Sequence, residues 1–329
     1  MTRPAMQLDR RAFAAALVVL FASASRSARP AATRPRIGVL DHDPKSIALD
    51  AFRQALRETG YIDGETVGID YRSMDGMAAA APKLAAELAA LKVDVIFAPT
   101  TAAAIAARDA APTVPIVFAV VADPVGAKLV PALAKPGGHV TGFSTASLEE
   151  APKRLELLKE LAGGASRCGL LFDPSDPSNA RLGAALVEPA HQLRMSLQTF
   201  PVGGPADFAA AFAAVTAARI DALMVASGPL ALAHAQLLVE HAAKARVPAM
   251  YGAADFVEAG GLMSYAADPA ENYRRAAEYV AKILKGTPPG SLPVERVAKP
   301  ELVINLATAR SLRLVPSRWM LLQATRVIE

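Results

Sequence analysis

Pro136-Gly137-Gly138-His139-Val140-Thr141-Gly142-Phe143 places a glycine-rich turn before a β-rich run that no helical pattern immediately follows. Gly260-Gly261-Leu262-Met263-Ser264-Tyr265 repeats the arrangement far downstream. Elsewhere short β-rich runs (37–40, 67–71, 93–98, 116–120, 169–172, 197–200 and 222–226) alternate with helical patterns (47–59, 77–91, 102–110, 152–161, 179–193, 206–217, 231–245 and 269–284). Counted together with 140–143 and 262–265, most of the β-rich runs are continuous rather than alternating apolar stretches, as in parallel strands buried on both faces. Such alternation predicts an α/β fold of doubly wound parallel sheets. About nine or ten strands are too many for one sheet of ~120 residues and suit two lobes. Read as crossings in a multi-strand hinge, the two glycine pairs place 36–142 and 262–290 in lobe 1, and 143–261 and 291–329 in lobe 2. A TIM barrel uses the same alternation but needs a helix at both glycine pairs.

Residues 1–35 read as an export signal and leader. Arg10-Arg11 precede an uncharged apolar run, 12–22, and small residues follow (Ala22-Ser23-Ala24, Ser27-Ala28). This pattern resembles a twin-arginine or general secretory signal. The run makes only ~16 Å of helix, about half of a bilayer core, so it is no membrane anchor. The formal charge of +4 falls to +2 on cleavage after Ala24 and to 0 after Ala32. With no Lys/Arg stripe, the composition excludes a nucleic-acid footprint. Cys168, the one cysteine, lies in an apolar run, so no intrachain disulfide can form and a small buried hydrophobe is expected. No cysteine stands at the cleavage point to carry a lipid. A soluble periplasmic protein, not inserted in the membrane once the signal is removed, is expected.

Open α/β sheets bind ligands beyond the carboxyl ends of their strands, so the residues following each strand are the candidate ligand contacts. These are Asp41 and His42, then Thr100 and Thr101, then Asp123 in the first lobe. The second lobe supplies Ser178 and Asn179, Ser227, and Tyr251, Asp255 and Phe256. Thr100 and Thr101 open a helix, where a hydroxyl caps free N–H groups and the dipole attracts a carboxylate. Asp123 either neutralises a ligand ammonium or braces the turn at Pro124. Ser178 and Asn179 either cap a helix or reach a ligand. Tyr251 and Phe256 can cover a flat apolar body. Asp41 and His42 are neighbours on an extended chain, where side chains alternate and point apart.

Catalytic signatures are missing: no phosphate loop, no dinucleotide fingerprint, no nucleophile elbow and no H-E-x-x-H. His234 and His241 share a helix face without carboxylates at ligand spacing, which reads as a solvated face. No catalytic residue, cofactor or metal is expected.

Gly137-Gly138-His139-Val140-Thr141-Gly142-Phe143-Ser144 and the following Lys153-Arg154-Leu155-Glu156-Leu157-Leu158-Lys159-Glu160-Leu161 resemble one family's inter-lobe segment. That family comprises the substrate-binding proteins of ATP-binding-cassette importers, in its tryptophan-binding-protein-like group with the periplasmic-binding-protein type I fold. Phe256-Val257-Glu258-Ala259-Gly260-Gly261, Tyr273-Arg274-Arg275-Ala276-Ala277, Leu292-Pro293-Val294-Glu295 and Glu301-Leu302-Val303-Ile304-Asn305-Leu306 extend the resemblance over nearly the whole chain. It implies a monomeric receptor that closes on a small organic solute, such as an aromatic amino acid, and delivers it to a membrane permease. It also implies that Thr100 and Thr101 receive a ligand carboxylate. The chain departs from the family at Asp41-His42-Asp43, where members often carry a small or hydroxylated residue. Three other readings remain open: a receptor coupled to a sensor kinase, a hydrolase or isomerase built on Asp41, His42 and Asp173, and a transcription regulator. The export signal, standing where a DNA-binding helix-turn-helix would be, disfavours the last.

Overall fold

The computed structural model describes residues 34–145, 147–296 and 299–329. The export-signal reading falls on residues 1–33 and lies outside the described residues. From residue 35 to the end the chain forms one compact unit.

The chain runs β1 (Arg36–Asp41), α1 (Ile47–Glu58), β2 (Gly68–Ser73), α2 (Ala81–Ala90), β3 (Val95–Phe97), α3 (Thr101–Ala110), β4 (Ile116–Val121) and β5 (Val140–Ser144). It continues with α4 (Ala151–Leu161), β6 (Arg167–Phe172), α5 (Pro177–Gln192), β7 (Ser196–Pro201), α6 (Phe208–Ala217), β8 (Ala222–Val225), α7 (Pro229–Ala233) and α8 (Ala235–Ala245). Next come β9 (Ala249–Tyr251), α9 (Asp255–Glu258), β10 (Met263–Ala267) and α10 (Pro269–Leu284). The chain ends with β11 (Glu295–Arg296), β12 (Pro300–Asn305), α11 (Leu306–Ser311), α12 (Arg318–Gln323) and β13 (Arg326–Ile328).

Local chemistry sets the helix starts. Ser46, Thr100, Asp176, Asp268 and Asn305 each accept a first-turn backbone N–H of the helix they precede. Proline in the first turn of α4, α5, α7 and α10 suits a position whose N–H has no helical partner. The helix expected over 231–245 breaks at His234 into α7 and α8. His234 and His241 lie against the rings of Phe208 and Phe212 instead of forming a solvated face.

Among the described residues the strands form two sheets, ordered β11-β5-β4-β3-β1-β2 and β13-β12-β10-β9-β8-β6-β7. All pairings are parallel except β10 with β12. The chain crosses between sheets after Ser144, after Ala267 and between Arg296 and Pro300. Two segments therefore sit differently from the lobe boundaries expected from the sequence. Residues 263–267 pair with β9 and β12 in the second sheet, whereas α10 packs on the first lobe's core through Tyr273, Ala276, Tyr279 and Val280. The recrossing thus follows β10 instead of coinciding with the Gly260-Gly261 turn. Glu295–Arg296 adds an edge strand to the first sheet beside β5.

The predicted glycine-rich crossing has a steric basis at Gly142. Its φ is +151°, and a Cβ there would collide with the Phe118 carbonyl oxygen of β4, beside the register shift between Phe118 and Val121. Gly142→Ala should lower the unfolding free energy by about 1–3 kcal/mol, because the added methyl meets backbone that cannot move aside. Urea unfolding of the chain from Arg36 onward measures this; a loss below about 0.5 kcal/mol would show that the strand pair relaxes freely.

Candidate functional site

The carboxyl ends of both sheets open onto one cleft of about 580 Å³. The first lobe contributes His42, Lys45 and Ser46 after β1, Thr100 and Thr101 after β3, and Ala122 after β4. The second lobe contributes Asp176, Ser178 and Asn179 after β6, Ser227 and Gly228 after β8, and Tyr251 through Asp255 after β9. Ser147, Glu150, Arg154 and Ala266 through Ala270 complete it from the first two crossings.

The structure therefore brings together His42, Thr100, Thr101, Ser178, Asn179, Ser227, Tyr251 and Asp255. Thr100 is the N-cap of α3, accepting the Ala103 N–H at 3.3 Å, and Thr101 beside it is buried. First-turn N–H groups of a helix lack intrahelical partners, so this end of the cleft is suited to an anionic group. Across from it, Asp176 accepts the Ser178 N–H at 2.9 Å and the Ser178 hydroxyl at 2.7 Å. Asn179 donates to the Ser227 carbonyl at 3.0 Å and accepts from the Asp173 N–H at 3.3 Å, tying two loops of the second lobe together. Ser178 and Asn179 thus line the cleft while their bonds hold its wall.

Three expected contacts do not line the cleft. Phe256 is fully buried and stacks behind Tyr251, with ring centroids 4.9 Å apart and 11° between planes. Tyr251 alone of the pair forms the wall. Asp123 faces away: its Oδ1 accepts the Gly126 N–H at 2.8 Å, and its Oδ2 pairs with Arg181 at 2.6 Å. The turn-bracing reading of Asp123 holds, joined by an ion pair the sequence did not reveal. Asp41 is fully buried one residue inside the cavity wall.

The expectation that Asp41 and His42 point apart is corrected. Asp41 Oδ1 lies 2.7 Å from His42 Nδ1 and accepts the His42 backbone N–H at 2.7 Å, and Oδ2 accepts the Tyr273 hydroxyl at 3.1 Å. Strand alternation ends at Asp41, and the bend at His42 turns its ring back onto the carboxylate. Burial works to lower the His42 pKa, but the hydrogen bond and charge of Asp41, with Asp43 and Asp255, outweigh it and leave it raised above 6.5. Asp255 belongs to the opposite lobe, so charge on one wall is felt on the other.

Sequence reasoning missed the floor of the cleft. Arg154 is buried, donating Nε to the Tyr265 carbonyl at 2.6 Å, Nη1 to the Ser147 carbonyl at 3.1 Å and Nη2 to Glu150 at 3.0 Å. Burial pushes the Glu150 carboxyl up to about 7, against the pull of Arg154. The missed Lys45 and Tyr273 also line the cleft; only the Ser46 cap before a helical pattern signalled that end of it. Cys168 is buried, and burial pushes its thiol up to about 12, which leaves it inert.

The family model described as ABC transporter substrate binding protein matches residues 37–328. The Tyrosine-binding protein of Clostridioides difficile (strain R20291) is 27% identical over 274 residues, which are 83% of this chain and 79% of that protein. Among solved structures, an ABC domain in complex with L-Trp from Streptococcus pneumonia is 26% identical, with a TM-score of 0.80 over 90% of this chain and 100% of that one. The ligand-free, open structure of a substrate binding protein with adhesive properties from Clostridium difficile is 27% identical, with a TM-score of 0.61 over 89% of this chain and 99% of that one.

The Asp41–His42 pair has a pH signature. Its stabilisation is fully present below the ordinary histidine value of about 6.5 and is lost as pH rises through the raised folded value. Unfolding free energy should therefore decline as pH rises from the ordinary histidine value through the raised folded one in the unmodified chain, and decline less in His42→Gln. Titration of the His42 ring by NMR is the direct check; a midpoint at or below the ordinary value would refute the pairing.

Proposed function

The chain belongs to the ABC transporter substrate binding protein family, and on that premise we propose that it is the exported solute receptor of an importer. Its two lobes close on a small carboxylate-bearing amino acid and hand it to a membrane permease. The observation that carries this reading is the cleft itself. Thr100, Thr101 and the start of α3 lie on one wall, and the buried Tyr251 ring lies on the wall supplied by the other lobe. A ligand touching both walls stabilises the closed arrangement through contacts that opening would break.

Two relatives support an aromatic amino acid as the cargo, one named for tyrosine and one solved with L-Trp. The cavity volume falls in the usual range for small-molecule sites. At nearly equal identity and coverage, the chain superposes better on the L-Trp complex than on the open, ligand-free relative. That contrast supports reading the arrangement described above as the closed one. Arg10-Arg11 and the apolar run after them support export. Asp41 and His42 meet, but Asp41 is sealed behind the wall and Asp173 is engaged by Ser175 within its own loop. These contacts favour a binding role over the hydrolase or isomerase reading.

Calorimetry with L-tryptophan and L-tyrosine tests the proposal. Either amino acid at 100 times its dissociation constant should add roughly 2.7 kcal/mol to the unfolding free energy. Replacing Thr100 and Thr101 together by valine should weaken binding at least about ten-fold, while loss of the cap costs about 1 kcal/mol of stability. No binding of either amino acid would remove this cargo class, and unchanged affinity in the folded double variant would remove the threonines from the site.

A further inference from the structure

Arg181 reaches out of the second lobe, from the second turn of α5, into a turn of the first lobe. Its Nη1 lies 2.6 Å from Asp123 Oδ2, and its Nη2 donates to the Gly126 carbonyl. Asp123 is already oriented for this, since its Oδ1 accepts the Gly126 N–H at 2.8 Å. The turn thus offers a carboxylate oxygen and a carbonyl side by side, the paired acceptors that suit a planar guanidinium fork.

Gly126 shows that the socket is shaped for its guest. Its φ lies outside the left-handed region, so the backbone accepts any L residue, yet an added Cβ would collide with Arg181 Nη1 and Asp123 Oδ2. A bare glycine therefore leaves room for the Asp123 carboxylate and the Arg181 guanidinium to meet over the turn. None of Asp123, Gly126 and Arg181 lines the ligand cleft. A second inter-lobe contact lies at the far edge of the first sheet, where a Cβ on Gly76 would come within 2.9 Å of the Ala233 Cβ.

We propose that Arg181 and the Asp123–Gly126 turn form an inter-lobe latch that sets the balance between open and closed states, and hence ligand affinity, without touching the ligand. The latch rests on the closure reading above but not on the identity of the cargo. Both side chains of the ion pair are about one-third exposed, 34% and 36%, so salt should weaken the latch.

Two measurements test it. Small-angle scattering on the chain from Arg36 onward compares the unmodified protein with Arg181→Ala, each free and saturated with L-tryptophan or L-tyrosine. In about 50 mM salt the unmodified protein should be the more compact, and in about 500 mM salt its radius of gyration should rise towards that of the variant, which barely responds. Calorimetry should show Arg181→Ala raising the dissociation constant roughly two- to five-fold. Gly126→Ala should weaken binding similarly on its own and add nothing in the Arg181→Ala background. Equal radii at both salts in all samples, or additive losses in the double variant, would overturn the latch. If neither amino acid binds the unmodified protein, the cargo reading fails while scattering of the free proteins still decides the latch.

Discussion

Closure of the kind proposed needs a cleft floor that stays still while the walls approach, and in this structure Arg154 is placed to meet that constraint. Burying a guanidinium is costly unless its donors find partners. Arg154 finds them in Ser147 on the first crossing, in Tyr265 just before the second, and in Glu150 of the turn preceding its own helix. One side chain thereby fastens two of the three inter-sheet crossings to α4. Glu150, otherwise a mostly buried carboxylate without a counter-charge at the cleft floor, depends on the same arginine. The strand ends that carry His42, Thr100 and Tyr251 are aimed at one volume because the segments between the sheets are tied at this point.

The interior divides in a way that lets the lobes move as bodies. Among the described residues, Phe52, Phe97, Phe118 and Tyr273 belong to clusters made of the first lobe alone, with α10 folded into them. Leu155, Leu186, Met250 and Ile304, and the Phe208–Tyr251 group, belong to clusters of the second lobe alone. Among the described residues no cluster spans the cleft. Contacts between the walls include the ion pair of Arg181 with Asp123 and the close approach of Gly76 to Ala233. Packed cores resist continuous deformation, whereas such contacts form and break at low cost.

This division also explains what the sequence revealed. Central strands such as Val95–Phe97 and Ile116–Val121 are buried on both faces and so read as unbroken apolar runs. Of the helix caps, Thr100 was legible, whereas α5 is capped by Asp176 and not by Ser178 or Asn179, which lie inside its first turn. The short β11 and β13 carry no run long enough to detect, and β12 showed only through its family resemblance. The recrossing was misplaced because a strand's sheet depends on which neighbours it pairs with, here Met250 and Ile304, and local pattern holds no record of that. The cleft was legible to the extent that position after a strand implies position at its mouth, which succeeded for Thr100, Ser178 and Tyr251. It failed for Asp123 and Phe256, whose partners, Arg181 and Tyr251, are chosen by tertiary packing. Asp41 and His42 failed differently, because a bend replaced the alternation on which the reading rested.

The modest strength of the contacts between the walls suits the proposed closure. A ligand shifts a two-state equilibrium only by the difference in its affinity for the two states. Were the lobes held together by several kcal/mol of their own, the empty protein would close, and the cleft would exclude the solute it must admit. An ion pair about one-third exposed contributes about 1 kcal/mol or less, a factor of up to about five in the equilibrium. That is enough to tune affinity while leaving the decision to the ligand. Arg154 and Arg181 thus differ by burial: the first, sealed among carbonyls and the Glu150 carboxylate, ties the crossings, and the second, partly exposed, suits a reversible contact.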